Sequence, residues 1–251
     1  MRVNKTKSLI KNTAVTVFWL AVWQIVYMLI GRDILFASPG DTLKALLEMC
    51  ASAVFYKTIA LSFARIAVGF FAGSVIGILL GIATGFSGIL YTLFKPIISI
   101  VRAAPVASFI ILALAWMKSG EVPVFISFLT VVPIVWSNLS EGIASVDNKL
   151  LEMAHMYEYS ISTKLKKIYM PAVLPYIKSA AVTGVGFAWK SGVAAEVIGN
   201  PRFSVGSKLY EAKVYLETPQ LFAWTAVIII LSVLFERIII NAVNGTKKHR
   251  G

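Results

Sequence analysis

The sequence predicts an all-α polytopic membrane protein with six transmembrane helices, on three observations. Hydrophobic residues make up 58% of the 251 residues and charged residues 14%, against about 25% charged in a soluble domain, and mean hydropathy is +0.79. The apolar residues fall in runs long enough, at a rise of about 1.5 Å per residue, to cross a hydrocarbon core of about 30 Å. The formal net charge of +12 is gathered into clusters that these runs separate, a pattern of membrane topology and not of a basic nucleic-acid surface. Cys50 is the one cysteine, and His155 and His249 are the only histidines. An intrachain disulfide and a Cys/His metal cluster are therefore ruled out, and no cofactor or redox chemistry is indicated.

Each span follows from its run. Arg2, Lys5, Lys7 and Lys11 precede an uncharged stretch from Asn12 to Gly31, expected to be the first span. It exceeds the roughly 7 to 15 apolar residues of a signal peptide and is expected to be retained. Residues 32–57 are polar enough to leave the membrane, and Ser38-Pro39-Gly40-Asp41 reads as a turn into a short external helix, Thr42 to Cys50. A second span runs from Ile59 to Phe86. Within it Gly69, Gly73, Gly77, Gly81 and Gly85 recur every fourth residue and share one helix face. In lipid such a face lets another backbone approach closely, so it is expected to pack tightly against a neighbouring helix. A connection from Ser87 to Lys95 leads to a third span, Pro96 to Met117, containing Arg102 and Pro105. The turn Lys118-Ser119-Gly120-Glu121 returns the chain as a fourth span, Val122 to Leu139, interrupted by Pro133. A fifth span is expected over Tyr176 to Gly199, an external segment to Gln220, and a sixth span over Leu221 to Ile240. Lys247, Lys248, His249 and Arg250 close the chain.

Six spans place both termini and the long polar interlude between spans four and five on one side. That side carries fourteen Lys and Arg residues and the opposite side seven. Positive charge marks the cytoplasm, so the termini and the interlude are expected to be cytoplasmic.

The interlude, Lys149 to Tyr176, carries a helical stripe of Leu151, Ala154, Tyr157, Ile161, Leu165 and Ile168, with Lys164, Lys166 and Lys167 largely off it. This is an amphipathic docking surface. Ser160, Ser162 and Thr163 are good N-cap residues, which predicts two short helices with a turn between them. Pro171 and Pro175 are expected to end the second. Glu152-Met153-Ala154, followed by Met170-Pro171 and Leu174-Pro175, resembles the EAA coupling loop of bacterial ABC importer permeases. That loop runs E-A-A, then Gly four residues after the second Ala, then an apolar-Leu-Pro close. Here Met153 stands at the first Ala and Glu158 at the Gly. If that position takes a left-handed turn, Glu158 carries a strain of roughly 1 kcal/mol.

Ala188 to Gly199, reading AWKSGVAAEVIG, resembles the fifth-helix signature of the permease branch serving taurine, alkanesulfonates and nitrate. Together the two resemblances cover most of residues 57–240. They imply a type I ABC importer permease fold, MetI-like, with cytoplasmic coupling helices. Residues 1–56 would form the N-terminal arm, first helix and external segment. Residues 57–240 would form the permease domain, with the coupling loop at about 149–171, and residues 241–251 a basic cytoplasmic tail. The implied partners are a second copy of the chain, two cytoplasmic ATP-binding subunits and an extracytoplasmic solute-binding protein, all at a bacterial inner membrane. Glu152, Met153, Ala154, Tyr157, Glu158, Ser160 and Pro171 would meet the ATPase. The implied solute is a sulfonate, nitrate or similar small anion; the alternatives are a thiamine-precursor-like molecule, or an ion-coupled secondary carrier, for which no internal repeat is found. No G-x-x-x-x-G-K-[ST] sequence is present, so ATP hydrolysis would belong to a separate subunit and this chain would not be an enzyme.

Ionisable residues inside spans are costly and face a cavity, a partner or the interface. Arg65, near the outer end of the second span, can snorkel to the headgroups. Arg102 precedes Pro105, where a broken helix can face a central cavity. Lys190 and Glu196 lie six residues apart in the fifth span and need not pair. Arg102, Lys190 and Glu196 are candidate pathway residues, and a helix-to-helix role for Lys190 and Glu196 is the competing reading.

Overall fold

The computed structural model describes residues 2–245, with side chains from residue 13 to residue 243. The basic residues Lys247, Lys248 and Arg250 lie outside the described residues, as do the side chains of Arg2, Lys5, Lys7 and Lys11. Eleven α-helices follow in order: α1 (Arg2–Ile30), α2 (Pro39–Cys50), α3 (Ala53–Gly85), α4 (Gly88–Ala103), α5 (Val106–Leu114), α6 (Val122–Ala144), α7 (Asn148–Met156), α8 (Ile161–Lys164), α9 (Met170–Gly199), α10 (Val205–Val214) and α11 (Thr218–Gly245). A π-helical turn, Leu165–Tyr169, joins α8 to α9.

The centre is the contact of α3 with α6. A Cβ added at Gly69 would fall on the Val124 carbonyl and 2.7 Å from Ser127 Cβ; at Gly73 it would lie 2.9 Å from Val131 Cβ. At Gly77 it would meet Val135 Cβ at 2.7 Å, at Gly81 Leu139 Cβ at 2.8 Å and at Gly85 Ile143 Cβ at 3.0 Å. These spacings leave no room for a methyl group, as the glycine face predicts. Both partners advance by four residues together, so α3 and α6 run parallel. The chain between them must therefore cross back. It does so as α4 and α5, a pair bent by 95°.

Helix α9 runs antiparallel to both. Gly142 lies against the Tyr176 ring at one end, and Gly192 against Ile66 and Ser127 at the other. Four helices, α1, α3, α6 and α11, are long and apolar enough to cross a membrane, and the bent pair adds a fifth crossing. The 30-residue α9 is as long as these but less apolar. It carries more polar residues because protein and not lipid surrounds much of it: Ala188, Trp189, Ser191 and Glu196 are all buried. Hydrogen bonds tie the three together, Thr84 Oγ1 with Ser140 Oγ at 2.9 Å, Trp136 Nε1 to Thr84 Oγ1 at 2.9 Å and Ser127 Oγ to the Ala188 carbonyl at 3.1 Å. Each is worth about 0.6 kcal/mol in a membrane bundle. Helix α1 sits at the periphery, held by Trp23 stacked on Phe222 and by Trp23 Nε1 donating to the Ala37 carbonyl at 3.0 Å.

Several boundaries differ from the expectations. The first helix begins at Arg2, ten residues before the uncharged run. The external helix begins at Pro39 because Ser38 is its N-cap, accepting from Asp41 N, with proline at the first position where its missing N–H costs nothing. The third span is not one helix starting at Pro96. It begins at Gly88 and breaks at Ala104, whose ψ of 140° is forced by Pro105. Pro133, in contrast, does not interrupt α6, which is continuous to Ala144. Pro171 and Pro175 end nothing: Pro171 stands in the first turn of α9 and Pro175 inside it. The widened π turn absorbs the hydrogen-bond mismatch, with Met170 N donating to the Leu165 carbonyl five residues back. The external segment after Gly199 contains α10, which the residue pattern did not reveal.

Replacing Gly77 with leucine is expected to force α3 and α6 apart and to lower stability by about 1–3 kcal/mol or more. Gly88→Ala, where nothing lies within 4 Å of an added Cβ, is the neutral control. Thermal unfolding of the two variants in detergent measures the difference.

Candidate functional site

Three places collect the polar residues of the chain. The first is the interlude after α6. Asp147 caps α7 through Lys149 N at 2.9 Å, and α7 closes with Tyr159 N on the Ala154 carbonyl at 2.9 Å and Glu158 N on the His155 carbonyl at 3.0 Å. This paired closure requires a left-handed residue, usually glycine, and Glu158 supplies it at φ 53°. Ser160 then caps α8, accepting from Thr163 N at 3.3 Å. The apolar stripe divides between two faces. Ala154 and Ile168 are buried together with Val146, with Leu151 and Tyr159 packed against them. Tyr157 and Ile161 face outward at 72% and 79% exposed, beside Met156 at 83%. Met153, Glu152, Glu158 and Ser160 are also exposed, and so is Pro171 at the start of α9. Large apolar side chains held in the open on a polar segment mark a surface for a partner.

The second place is a cleft between α4, α6 and α9. Two cavities of about 500 and 340 Å³ share Arg102 and Ser137 in their walls. The larger, towards the α7 end, includes Lys95, Tyr91, Trp136 and Glu141. The smaller includes Thr130, Pro133, Asn138, Thr183 and Phe187. Lys190 is exposed just beyond, its Nζ 6.0 Å from the centre of the Phe187 ring. Arg102 thus lines both cavities and Lys190 lines neither. Thr130, Ser137, Asn138 and Thr183 were missed from the sequence. The first three recur at a spacing of seven and eight residues in an apolar run, which is one helical face and the signal that was available.

The third place holds Glu196, and it is not the cleft. Its carboxylate is fully buried where α3, the end of α9 and the start of α10 meet. Oε2 accepts from Ser62 Oγ at 2.8 Å and from Gly206 N at 3.1 Å. Arg65 Nη1 stands 3.7 Å from Oε1 and donates to the Phe203 carbonyl, while Nη2 donates to the Arg202 carbonyl at 3.1 Å. Ser62 Oγ also accepts from Val205 N at 2.8 Å. Gly206 is necessary, since a Cβ there would lie 2.5 Å from Glu196 Cβ. Glu196 therefore belongs to a structural latch and not to the pathway, and Arg65 points into that latch rather than to headgroups. A carboxylate this deep needs compensation from several elements: Ser62 and Gly206 N donate to Oε2, while Oε1 accepts no hydrogen bond among the described residues and is compensated only by the Arg65 charge at 3.7 Å.

A family model, the binding-protein-dependent transport system inner membrane component, matches residues 73–245, a span that includes the cleft, the interlude, the glycine face from Gly73 onward, and Glu196 and Gly206 of the latch. The chain belongs to this family. It is a permease component of an ABC importer, a multi-pass membrane protein. It is 28% identical over 207 residues to the putative aliphatic sulfonates transport permease protein SsuC of Bacillus subtilis (strain 168), covering 81% of this chain and 74% of that one. It is 28% identical over 221 residues to the taurine transport system permease protein TauC of Escherichia coli (strain K12), covering 85% and 80%. The nitrate import permease protein NrtB of Synechocystis sp. is 33% identical over 138 residues, 55% of this chain and 50% of that one. Among solved structures, a bacterial ABC transporter involved in the import of the acidic polysaccharide alginate aligns over 98% of both chains with a TM-score of 0.65 at 14% identity. The MetNI methionine ABC transporter in inward-facing conformations aligns over 76% of this chain and 93% of that one, with a TM-score of 0.58 at 16% identity. These two share the permease fold.

Four variants, two at each of two positions, test the geometry of this permease. Glu158→Gly is expected to stabilise the protein by about 1 kcal/mol by relieving the left-handed strain, while Glu158→Ala, which keeps it, gains nothing; thermal unfolding in detergent compares them. Glu196→Leu removes the one carboxylate paired with Arg65 among the described residues and is expected to cost about 3 kcal/mol or more. Glu196→Gln, which keeps an oxygen for Ser62 and Gly206, is expected to cost less. Proteolysis of the loop at residues 200–204 reports both.

Proposed function

We propose that two copies of this permease form the pathway for a small anion at a bacterial inner membrane. Two separate ATP-binding subunits drive it and an extracytoplasmic solute-binding protein supplies it. The termini and the α7–α8 segment face the cytoplasm, in keeping with the excess of Lys and Arg on that side. Residues 57–240 act as the transmembrane domain and 149–171 as the coupling loop.

The observation that carries the reading is the exposed group Met156, Tyr157 and Ile161 at the head of a continuous rod. From Ile161 the helix passes through the π turn into α9 and reaches Gly199 without a break. A displacement imposed on Tyr157 and Ile161 by closure of the ATPase pair moves α9 as a body. That motion reaches Phe187 at the cleft, Lys190 just beyond it and Glu196 at the outer latch together. ATP hydrolysis stays with the partner, and the chain converts its closure into exposure of the cleft to the opposite side.

The solute class rests on two supports. Relatives bear the names of sulfonate, taurine and nitrate permeases, and the cleft presents Arg102.

Glu152→Lys is expected to leave the chain in the membrane and to abolish its copurification with an ATP-binding protein, detected by mass spectrometry after gentle solubilisation. Recovery of the same ATPase with both forms would overturn the docking role of Glu152. Recovery with neither would overturn the importer assembly and direct attention to ion-driven uptake.

A further inference from the structure

We infer that the cavity of about 340 Å³ between α4, α6 and α9 is an intramembrane oxyanion site, with the Arg102 guanidinium as its charge and Asn138 and Thr183 as accessory donors. This deepens the permease reading and rests on it.

The first ground is the state of Arg102. It lies in the last turn of α4, beside the 95° break, and no hydrogen bond or ion pair joins it to another group among the described residues. Its side chain is exposed where it lines the cavity, so the guanidinium is free to meet a ligand. The missing counter-charge is met by an anion entering the cavity. The second ground is the composition of the wall. No Asp or Glu lines this cavity, whereas the adjoining larger one, which Arg102 also lines, contains both Glu141 and Lys95. The smaller space is thus selective for negative charge.

The third ground is donor capacity. Asn138 Nδ2 gives one hydrogen to the Ile134 carbonyl at 2.8 Å and has a second to offer. The Thr183 hydroxyl is exposed to the cavity. A guanidinium presents two parallel N–H groups that match two oxygens of a planar or tetrahedral oxyanion, which a lysine cannot reproduce. The remaining wall, Val101, Val106, Pro133 and Phe187, is apolar and accommodates a short carbon chain. The volume lies near the lower end of the roughly 300–1,000 Å³ typical of ligand pockets. The favoured ligand is a small organic oxyanion whose head meets Arg102 and whose tail meets Phe187.

Cys50 is the only cysteine, which makes a direct test available in the assembled transporter in native membranes. In a Cys50→Ser background, Thr183→Cys is reacted with a negatively charged sulfonatoethyl methanethiosulfonate and with its trimethylammonium counterpart. The anionic reagent is expected to react about tenfold faster relative to the cationic one than each does with a free thiol, equivalent to one decade in local concentration. Arg102→Gln is expected to remove that preference, and millimolar methanesulfonate to slow the reaction only where Arg102 is present. Arg102→Lys is expected to keep the charge preference and lose the protection. Equal rates with Arg102 intact, a preference unaffected by Arg102→Gln, or no reaction with either reagent at both Thr183→Cys and Asn138→Cys would overturn the site. Copurification of the ATPase from the same membranes separates the two readings: a retained ATPase without charge preference overturns the site alone, and a missing ATPase overturns the assembly alone.

Discussion

The close approach of α3 and α6 is the constraint on which the rest of this structure depends. In lipid, helices do not associate to escape water, so contact area and backbone proximity do the work. Five glycines spaced by four bring α3 within a methyl group of Ser127, Val131, Val135, Leu139 and Ile143. Because that contact is parallel, the intervening chain has to return across the membrane, and it has to do so outside the packed pair. Ala104 and Pro105 bend the returning segment by 95°, so it cannot lie flush against α6. The cleft is the space this leaves.

The other consequence of the central pair is the position of α9. Its small residues Gly184, Ala188 and Gly192 face α3 and α6, which makes it the third member of the core and lets it carry Ser191, Lys190 and Glu196 at membrane depth. Its continuity with the coupling segment, through a π turn and two prolines, links the α7–α8 surface to the latch around Glu196. Straight helices transmit displacement with little loss, and the π turn is the one place along this rod where the hydrogen-bond pattern changes.

Opposite charges met opposite fates here. Glu196 is buried where Ser62 and the start of α10 donate to one of its oxygens and the Arg65 charge stands 3.7 Å from the other. Arg102 has no such neighbours and faces open space at the end of a helix. The same cost of charge in lipid thus produces a structural latch at one end of the molecule and an unpaired cation at the cleft.

Patterns of period four, long apolar runs and charge clusters are local in sequence, and what rests on them was legible: the helical membrane fold, the glycine contact and the paired helices at the interlude. Their physics is settled within a few turns of one helix. What the chain alone did not disclose depends on neighbours distant in sequence. Proline 171 could be read only as a helix stop until the π turn and the flanking packing were seen to carry it. Glu196 looked like Arg102 in the sequence, since each is a lone charge in an apolar run. Only the folding of Ser62, more than 130 residues away, onto its carboxylate distinguished them. The gathering of Thr130, Ser137, Asn138 and Thr183 around Arg102 likewise required α4, α6 and α9 to meet. Sequence determined which segments are helices and which faces can touch; tertiary structure decided which charges are satisfied, because desolvation is paid or relieved by whatever packs alongside.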